Sequence, residues 1–409
     1  MQASTTTDFP TGIDFDEARA ILREVARGNR LPIEQLALPR CHGRVLAEDV
    51  VAPIALQPFD NSAMDGYACR HADLSANRET ALRLVGEQFA GRALGLRVGE
   101  GECIRITTGA PMPEGADTVA IREVVKVDGD VVAIPPGVRV GANVRRAGED
   151  AMPGDPVLAA GTRLNAVQVS LAASLGIARL PVFARPTVAV FTTGDELVEP
   201  GLPLRPGEIY NSNRELLMGL LRAEGLEPVA WPTLPDEPAR VAAMLADAAS
   251  SFDLVITCGA VSAGEKDHIP TLLQAHGRVH FWKVRMKPGM PLLAGQWGRA
   301  QFLGLPGNPV SVLATWLALG REVVDGLQGR APPPPRYARL EAAIDKTHAR
   351  REFVRGRLRH GEDGVLRVAP SDATGSHRLR AAADADALLV LPDAAGHQPA
   401  GTVLEVLPY

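Results

Sequence analysis

The stretch Asp253-Leu254-Val255-Ile256-Thr257-Cys258 runs into the small-residue turn Gly259-Ala260-Val261-Ser262-Ala263-Gly264, and this junction limits the fold more than any other. The short run from Leu254 to Thr257 has the length and composition of a strand buried on both faces, as in a parallel sheet. A glycine-rich turn lets backbone N–H groups approach an anion, and a helix start behind it adds its positive end. Glu265, Lys266 and Asp267 follow at once, and acidic residues there suit a divalent cation held beside that anion. Taken alone, the same residues would also serve as an ordinary strand-to-helix turn with surface charges.

The neighbouring sequence repeats the design. Val188–Phe191 reads as a buried strand ending in Thr193-Gly194-Asp195-Glu196, and a helix is expected over Arg214–Glu224, started near Asn213. Val229–Pro232 reads as a strand leading through Asp236 to a helix over Pro238–Ala249, and Leu303–Leu305 ends in Pro306-Gly307-Asn308-Pro309-Val310-Ser311. Strands alternating with helices predict a doubly wound parallel sheet with ligands beyond the carboxyl ends of its strands. Thr193–Glu196, Asp236 and Gly259–Asp267 all fall at that edge. Strict alternation over Trp282–Lys287 would put Lys283, Arg285 and Lys287 on one face over about 13 Å, as a clamp for an anion or as a solvated edge.

Before this region the chain changes texture. Asp14–Arg27 carries Ala18, Ile21, Leu22 and Val25 at helical spacing. Pro58–Ala68 packs Asp60, Asn61, Ser62 and Asp65 into one loop, which an Asx-turn network would also explain. Leu82–Ile134 reads as a small β domain holding Thr107-Thr108-Gly109, and Asn143–Asp150 sets two arginines among acids. Helical character returns over Leu164–Leu175, so the β part is an insertion. The proline run Pro332–Pro335 is a stiff spacer before a carboxy-terminal β domain. The expected domains are 1–50 with 140–184, 51–139 inserted between them, 185–329 as the α/β unit, and 336–409.

Composition excludes several classes. At 409 residues the chain has room for two to four domains by the usual soft scaling, roughly one per 100–200 residues. A net charge of −5 and an aromatic content of 4% argue against a nucleic-acid surface or stacking platform. No apolar run approaches membrane-spanning length, so a cytoplasmic protein is expected. Cys41, Cys69, Cys103 and Cys258 show no metal-ligand spacing and read as buried free thiols.

Together, PFDNSAMDGYA, TGAPMPEGAD, NVRRAGED, TTGDEL with IYNSN, GAVSAGEKD, KVRMKPG and LPGNPVS resemble, in order, the motifs of the molybdopterin molybdenumtransferase family. The resemblance implies an α/β multidomain fold with a β-rich insertion and a carboxy-terminal β-barrel, in an elongated homodimer. It implies insertion of molybdenum from molybdate into adenylylated molybdopterin with release of AMP and a need for Mg2+. It also implies that one subunit's insertion domain completes the α/β site of the other.

By motif position, Asp65, Asp195, Glu196, Asp236 and Asp267 are the expected functional acids, with Asp195, Glu196 and Asp267 nearest the metal. Thr108, Gly109, Asp150, Ser262, Gly264, Lys283, Arg285, Lys287, Pro306, Gly307, Asn308, Pro309 and Ser311 are the expected substrate-binding set. Other cofactor-biosynthesis enzymes and recipient apoenzymes are the further partners it suggests. Ala260 departs from the family's usual glycine. If the turn needs a positive φ there, alanine carries a conformational cost. The adenylyltransferase of the preceding step shares only the α/β motifs, and a scaffold role would not need the acids and lysines.

Overall fold

The computed structural model describes residues 9–262 and 267–409. Seven strands form the central sheet, side by side in the order Thr11–Ile13, Arg278–Val284, Leu293–Trp297, Ala300–Leu305, Leu254–Cys258, Val188–Thr192 and Val229–Ala230. All neighbours pair in parallel except Leu293–Trp297, which is antiparallel to both of its own. Both faces are covered, so the strands need no polar alternation. Val188, Val190 and Ile256 pack into one core with the helix Phe15–Gly28 and the helix Ser212–Ala223. Ala189, Phe191 and Val255 face the other core, with Val241 and Leu245 of the helix Pro238–Ser251.

Residues 33–62 and 144–183 pair with one another across three short antiparallel ladders, which closes a domain around an insertion. Its helix, Ala166–Ser174, starts at a capping box in which Asn165 and Gln168 satisfy each other's backbone N–H. The insertion carries a six-stranded sheet with a core of Tyr67, Leu82, Val132 and Ile134. At the other end, Arg351–His360, Leu366–Pro370, Arg336–Leu340, Val403–Pro408 and Ala387–Leu391 close into a five-stranded barrel.

Two boundaries differ from the sequence expectation: Val51 and Asn61–Ser62, expected in the insertion, pair with Pro156 and Val144–Arg145 of the amino-terminal domain, and the start of the chain packs elsewhere. Thr11–Gly28, expected in the amino-terminal domain, is built into the α/β unit. Thr11 and Ile13 pair with Trp282 and Val284, and Phe15, Ala18, Leu22 and Ala26 join the sheet's core. Helical periodicity shows that a stripe must be buried without saying against which core. Here the partner is the helix Arg321–Leu327, where a Cβ on Gly326 would stand 2.4 Å from the Ala26 Cβ.

A charge network ties the amino-terminal domain to this unit. Glu224, at the end of the Ser212–Ala223 helix, lies 3.7 Å from Arg163, 2.8 Å from Arg321 and 3.2 Å from Arg330. Asp325 lies 3.1 Å from Arg330, yet burial outweighs that cation and pushes its carboxyl up to about 6. A carboxyl whose folded pKa is raised stabilises the fold below its unfolded pKa of about 3.9, and that contribution is lost as pH rises through about 6. In urea titrations the Asp325→Asn variant should therefore gain on the wild type by on the order of 2 kcal/mol between pH 4.5 and 7.5. Parallel profiles would show that Asp325 keeps an ordinary pKa.

Candidate functional site

The three central parallel strands end in register: Thr192 pairs with Cys258, and Cys258 with Leu305. The ladder continues one step further, with Thr193 N donating to Cys258 O at 3.0 Å and Gly259 N to Leu305 O at 2.9 Å. Three strand-to-helix turns are thereby brought to one edge. They line a cleft of about 520 Å³ with Asp195, Glu196, Asp236, Ser262, Asp267, His268, Gly307 and Asn308. Of the expected acids, four share this cleft. Gly264 lies outside the described residues.

The turns are held tightly. Gly194 takes φ +133°, and a Cβ there would meet the Glu196 carboxylate at 2.5 Å, so that carboxylate folds back over its own turn. Gly259 takes φ +95°, with the Thr193 hydroxyl 2.4 Å from where its Cβ would be. Ala260 takes φ +53°, the left-handed conformation that costs any residue with a Cβ roughly 1–2 kcal/mol. The helix cap also differs from expectation. Asn211, not Asn213, accepts the Arg214 N–H, because the helix begins two residues earlier, at Ser212. The Asn213 amide is thus available to donate to Gly307 O at 2.6 Å, fastening this helix to the Pro306–Asn308 turn.

The cationic stretch is not a one-faced clamp. Lys283 takes φ +64°, which breaks the alternation and folds its ammonium back over the Trp282 ring, 4.2 Å from the centroid. Arg285 bends away, 3.1 Å from Asp14, and donates to Ala349 O. Lys287 has left the sheet altogether. Met286–Lys287 pairs with Arg351–Glu352 of the barrel, and Lys287 lies 2.8 Å from Glu352. It lines a second, smaller cleft with Val310, Arg355, Ser371 and Thr374. Pro306 and Ser311 are buried and Pro309 half-buried around the short helix Pro309–Thr315. The loop from Ser371 docks on it, with Val310 N donating to Ser376 O.

Asp65, Thr108, Gly109 and Asp150 line neither cleft. Asp65 accepts from the Thr108 N–H at 2.8 Å and its hydroxyl at 2.9 Å, and these bonds, the backbone one foremost, hold its carboxyl below the usual range. Gly109, at φ +80°, donates to Ser62 O. Asp60 bridges to the 143–150 loop, accepting from Ala147 N and from Arg146 at 2.6 Å, while Asp150 is exposed in an open groove beside Leu56 and Val167. His268 and Arg355 were not singled out from sequence, and Ser371 and Thr374 read there only as members of a polar loop, 371–377. His268 could have been noticed beside Asp267, but only barrel closure brings Arg355 to Lys287. The four cysteines are buried free thiols, and burial pushes Cys69 and Cys103 up to about 12.

The chain matches the MoeA N-terminal region (domain I and II) over residues 13–176, a probable molybdopterin binding domain over 189–326, and the MoeA C-terminal region (domain IV) over 337–409. It is 37% identical over 405 residues to the molybdopterin molybdenumtransferase of Haemophilus influenzae, covering 97% of this chain and 98% of that one. The chain belongs to the molybdopterin molybdenumtransferase family. A second family member, molybdopterin molybdenumtransferase 2 of Mycobacterium tuberculosis, is 39% identical over 402 residues, covering 95% of this chain and 98% of that one. Among solved structures, the molybdopterin biosynthesis moeA protein of Pyrococcus horikoshii superposes with a TM-score of 0.83 at 28% identity, covering 97% of this chain and 100% of that one. Family membership thus spans all the domains, including the insertion and the barrel that the α/β motifs alone would not require.

The two left-handed positions should respond in opposite senses. Ala260→Gly relieves strain but frees the unfolded chain, so a net gain of about 0–1 kcal/mol is expected in chemical denaturation. Gly259→Ala adds both strain and the clash with Thr193, and should cost about 2–3 kcal/mol. Equal costs at both positions would mean that the turn relaxes freely.

Proposed function

We propose that the protein inserts molybdenum from molybdate into adenylylated molybdopterin and releases AMP. The observation that carries this reading is that four acidic residues and three strand-to-helix turns line one cleft, in a chain that matches its family from end to end. A pterin dinucleotide-like substrate has a pyrophosphate that needs backbone donors and charge neutralisation together. Gly259–Ser262 and Gly307–Asn308 supply backbone, and Ser262 a hydroxyl. Asp195, Glu196, Asp236 and Asp267 bring acidic side chains to the same cleft, which suits a divalent cation beside a pyrophosphate.

The donor set fits Mg2+. Among the described residues no three His, Cys, Asp or Glu side chains converge as a ready-made metal cage. Mg2+ is commonly held by one or two carboxylates, with phosphate oxygens and water completing its shell. When bound, it would offset the charge that develops as the pyrophosphate splits. We assign its one or two carboxylate ligands to the set Asp195, Glu196 and Asp267. We place the tetrahedral dianion at the cleft of Lys287, Arg355, Ser371 and Thr374, where it would take the place of Glu352, which lines the same cleft 2.8 Å from Lys287, as the lysine's partner. Lys283, Arg285 and Ser311, expected by motif position to bind substrate, line neither cleft.

Asp65, Thr108, Gly109 and Asp150 belong to the same reading as residues of a shared site. The Asp65–Thr108 pair is preorganised, with Asp65 half-buried and Thr108 exposed, and lies apart from the cleft of its own chain. A C2 homodimer would let one subunit's insertion complete its partner's cleft. A cytoplasmic setting suits a biosynthetic enzyme of this kind, and no helix among the described residues is long and apolar enough to cross a membrane.

Asp267→Asn should bind adenylylated molybdopterin but fail to release AMP when magnesium and molybdate are supplied; wild-type release would remove Asp267 from the chemistry. The shared site has its own test. Asp65→Asn and Asp267→Asn, inactive singly, should recover up to about a quarter of wild-type activity after subunit exchange, because mixed dimers hold one intact site. No recovery, with exchange shown independently, would place each site within one subunit.

A further inference from the structure

The Gly259–Ser262 turn holds two consecutive left-handed residues, the second without glycine's freedom. Such a conformation persists only where its surroundings over-determine it. On one side, the Thr193 hydroxyl closes the space beside Gly259 and itself donates to Cys258 O at 3.2 Å. On the other, Val261 is 1% exposed, with its Cγ1 where a Cβ on Gly304 would have to sit. The Val261 carbonyl accepts the indole N–H of Trp282 at 2.8 Å.

Trp282 is itself pinned. Its backbone N–H donates to Pro10 O, and its neighbour Lys283 donates to Leu292 O at 2.8 Å. The left-handed backbone at Lys283 lays its ammonium on the indole face. A cation over the ring opposes rotation of the indole away from the turn. The two positive-φ residues that lack glycine in this region, Ala260 and Lys283, thus stand at the two ends of one connection through Val261 and Trp282.

We infer that Trp282 is a positioning residue: its indole N–H fixes the left-handed Gly259–Ser262 turn that lines the carboxylate cleft. This rests on the proposed reading of that cleft as the pyrophosphate site. Loss of the N–H leaves a buried carbonyl without its donor, and the turn then samples conformations that no longer present Ser262 and its backbone to the substrate. Substrate capture suffers while bond breaking, carried by the carboxylates, does not.

Trp282→Phe removes the N–H and keeps a ring beneath Lys283, whereas Lys283→Met removes the cation and keeps the N–H. In Trp282→Phe, deuterium exchange of the peptide spanning 258–262 should rise about tenfold and KM for adenylylated molybdopterin by a similar factor, with kcat within about twofold. The thermal midpoint should stay within about 3 °C, since the ring still fills its place. Lys283→Met should raise the exchange of that peptide by only about twofold, well short of Trp282→Phe, because it removes the cation but keeps the N–H donor. Unchanged exchange in Trp282→Phe would overturn the inference, and so would faster exchange with an unchanged KM. The exchange arm needs no substrate, so a wild type that releases no AMP would count against the cleft's function and not against Trp282.

Discussion

The register of three parallel strands is the constraint on which the site depends. Thr192, Cys258 and Leu305 lie level, and the hydrogen bonds from Thr193 and Gly259 extend the ladder one residue past the strands before the chain turns. A slip of one residue would turn Val188, Val190 and Ile256 toward the opposite core and set the three turns out of line. The burial of both faces therefore fixes where Asp195, Gly259 and Gly307 stand, although none of these residues takes part in the core.

That logic explains what could be read from the chain alone. The apolar runs, the glycines at their ends and the acids just beyond them are all local in sequence. They announce an α/β sheet and the composition of its ligand edge. The positive φ at Ala260 was also foreseeable, because glycine is the residue such a turn favours. Lys283, Arg285 and Lys287 show where local reading fails. Alternation holds only while the chain stays in one sheet, and here a left-handed residue and a bend carry it from the α/β sheet to the barrel within five residues. The company of Lys287, especially Arg355 and Ser371, depends on barrel closure, which no spacing of residues records. Likewise the helical stripe from Phe15 to Ala26 revealed its buried face but not its partner.

The joints between domains use different chemistry from the domains themselves. Phe15 lies with the guanidinium groups of Arg19 and Arg351 at 4.7 and 5.0 Å from its ring centre and Phe353 at 5.4 Å, binding the amino-terminal helix to the barrel. The amino-terminal domain meets the α/β unit through Arg163, Glu224, Arg321 and Arg330. The Glu224 carboxylate is largely buried among its arginines, so salt screens this joint much less than it screens the exposed ion pairs of the surface.

The edge strand Thr11–Ile13 has a consequence for the order in which the molecule is made. Its hydrogen-bonding partner, Arg278–Val284, lies beyond the amino-terminal domain, the insertion and most of the α/β unit. On the ribosome, this strand is made before those regions and must wait while they emerge, so it is among the last to find its place. The helix that follows it waits as well, with its apolar stripe unburied. The α/β unit is thus sealed by its oldest segment, and its edge stays open for docking until synthesis has passed residue 284.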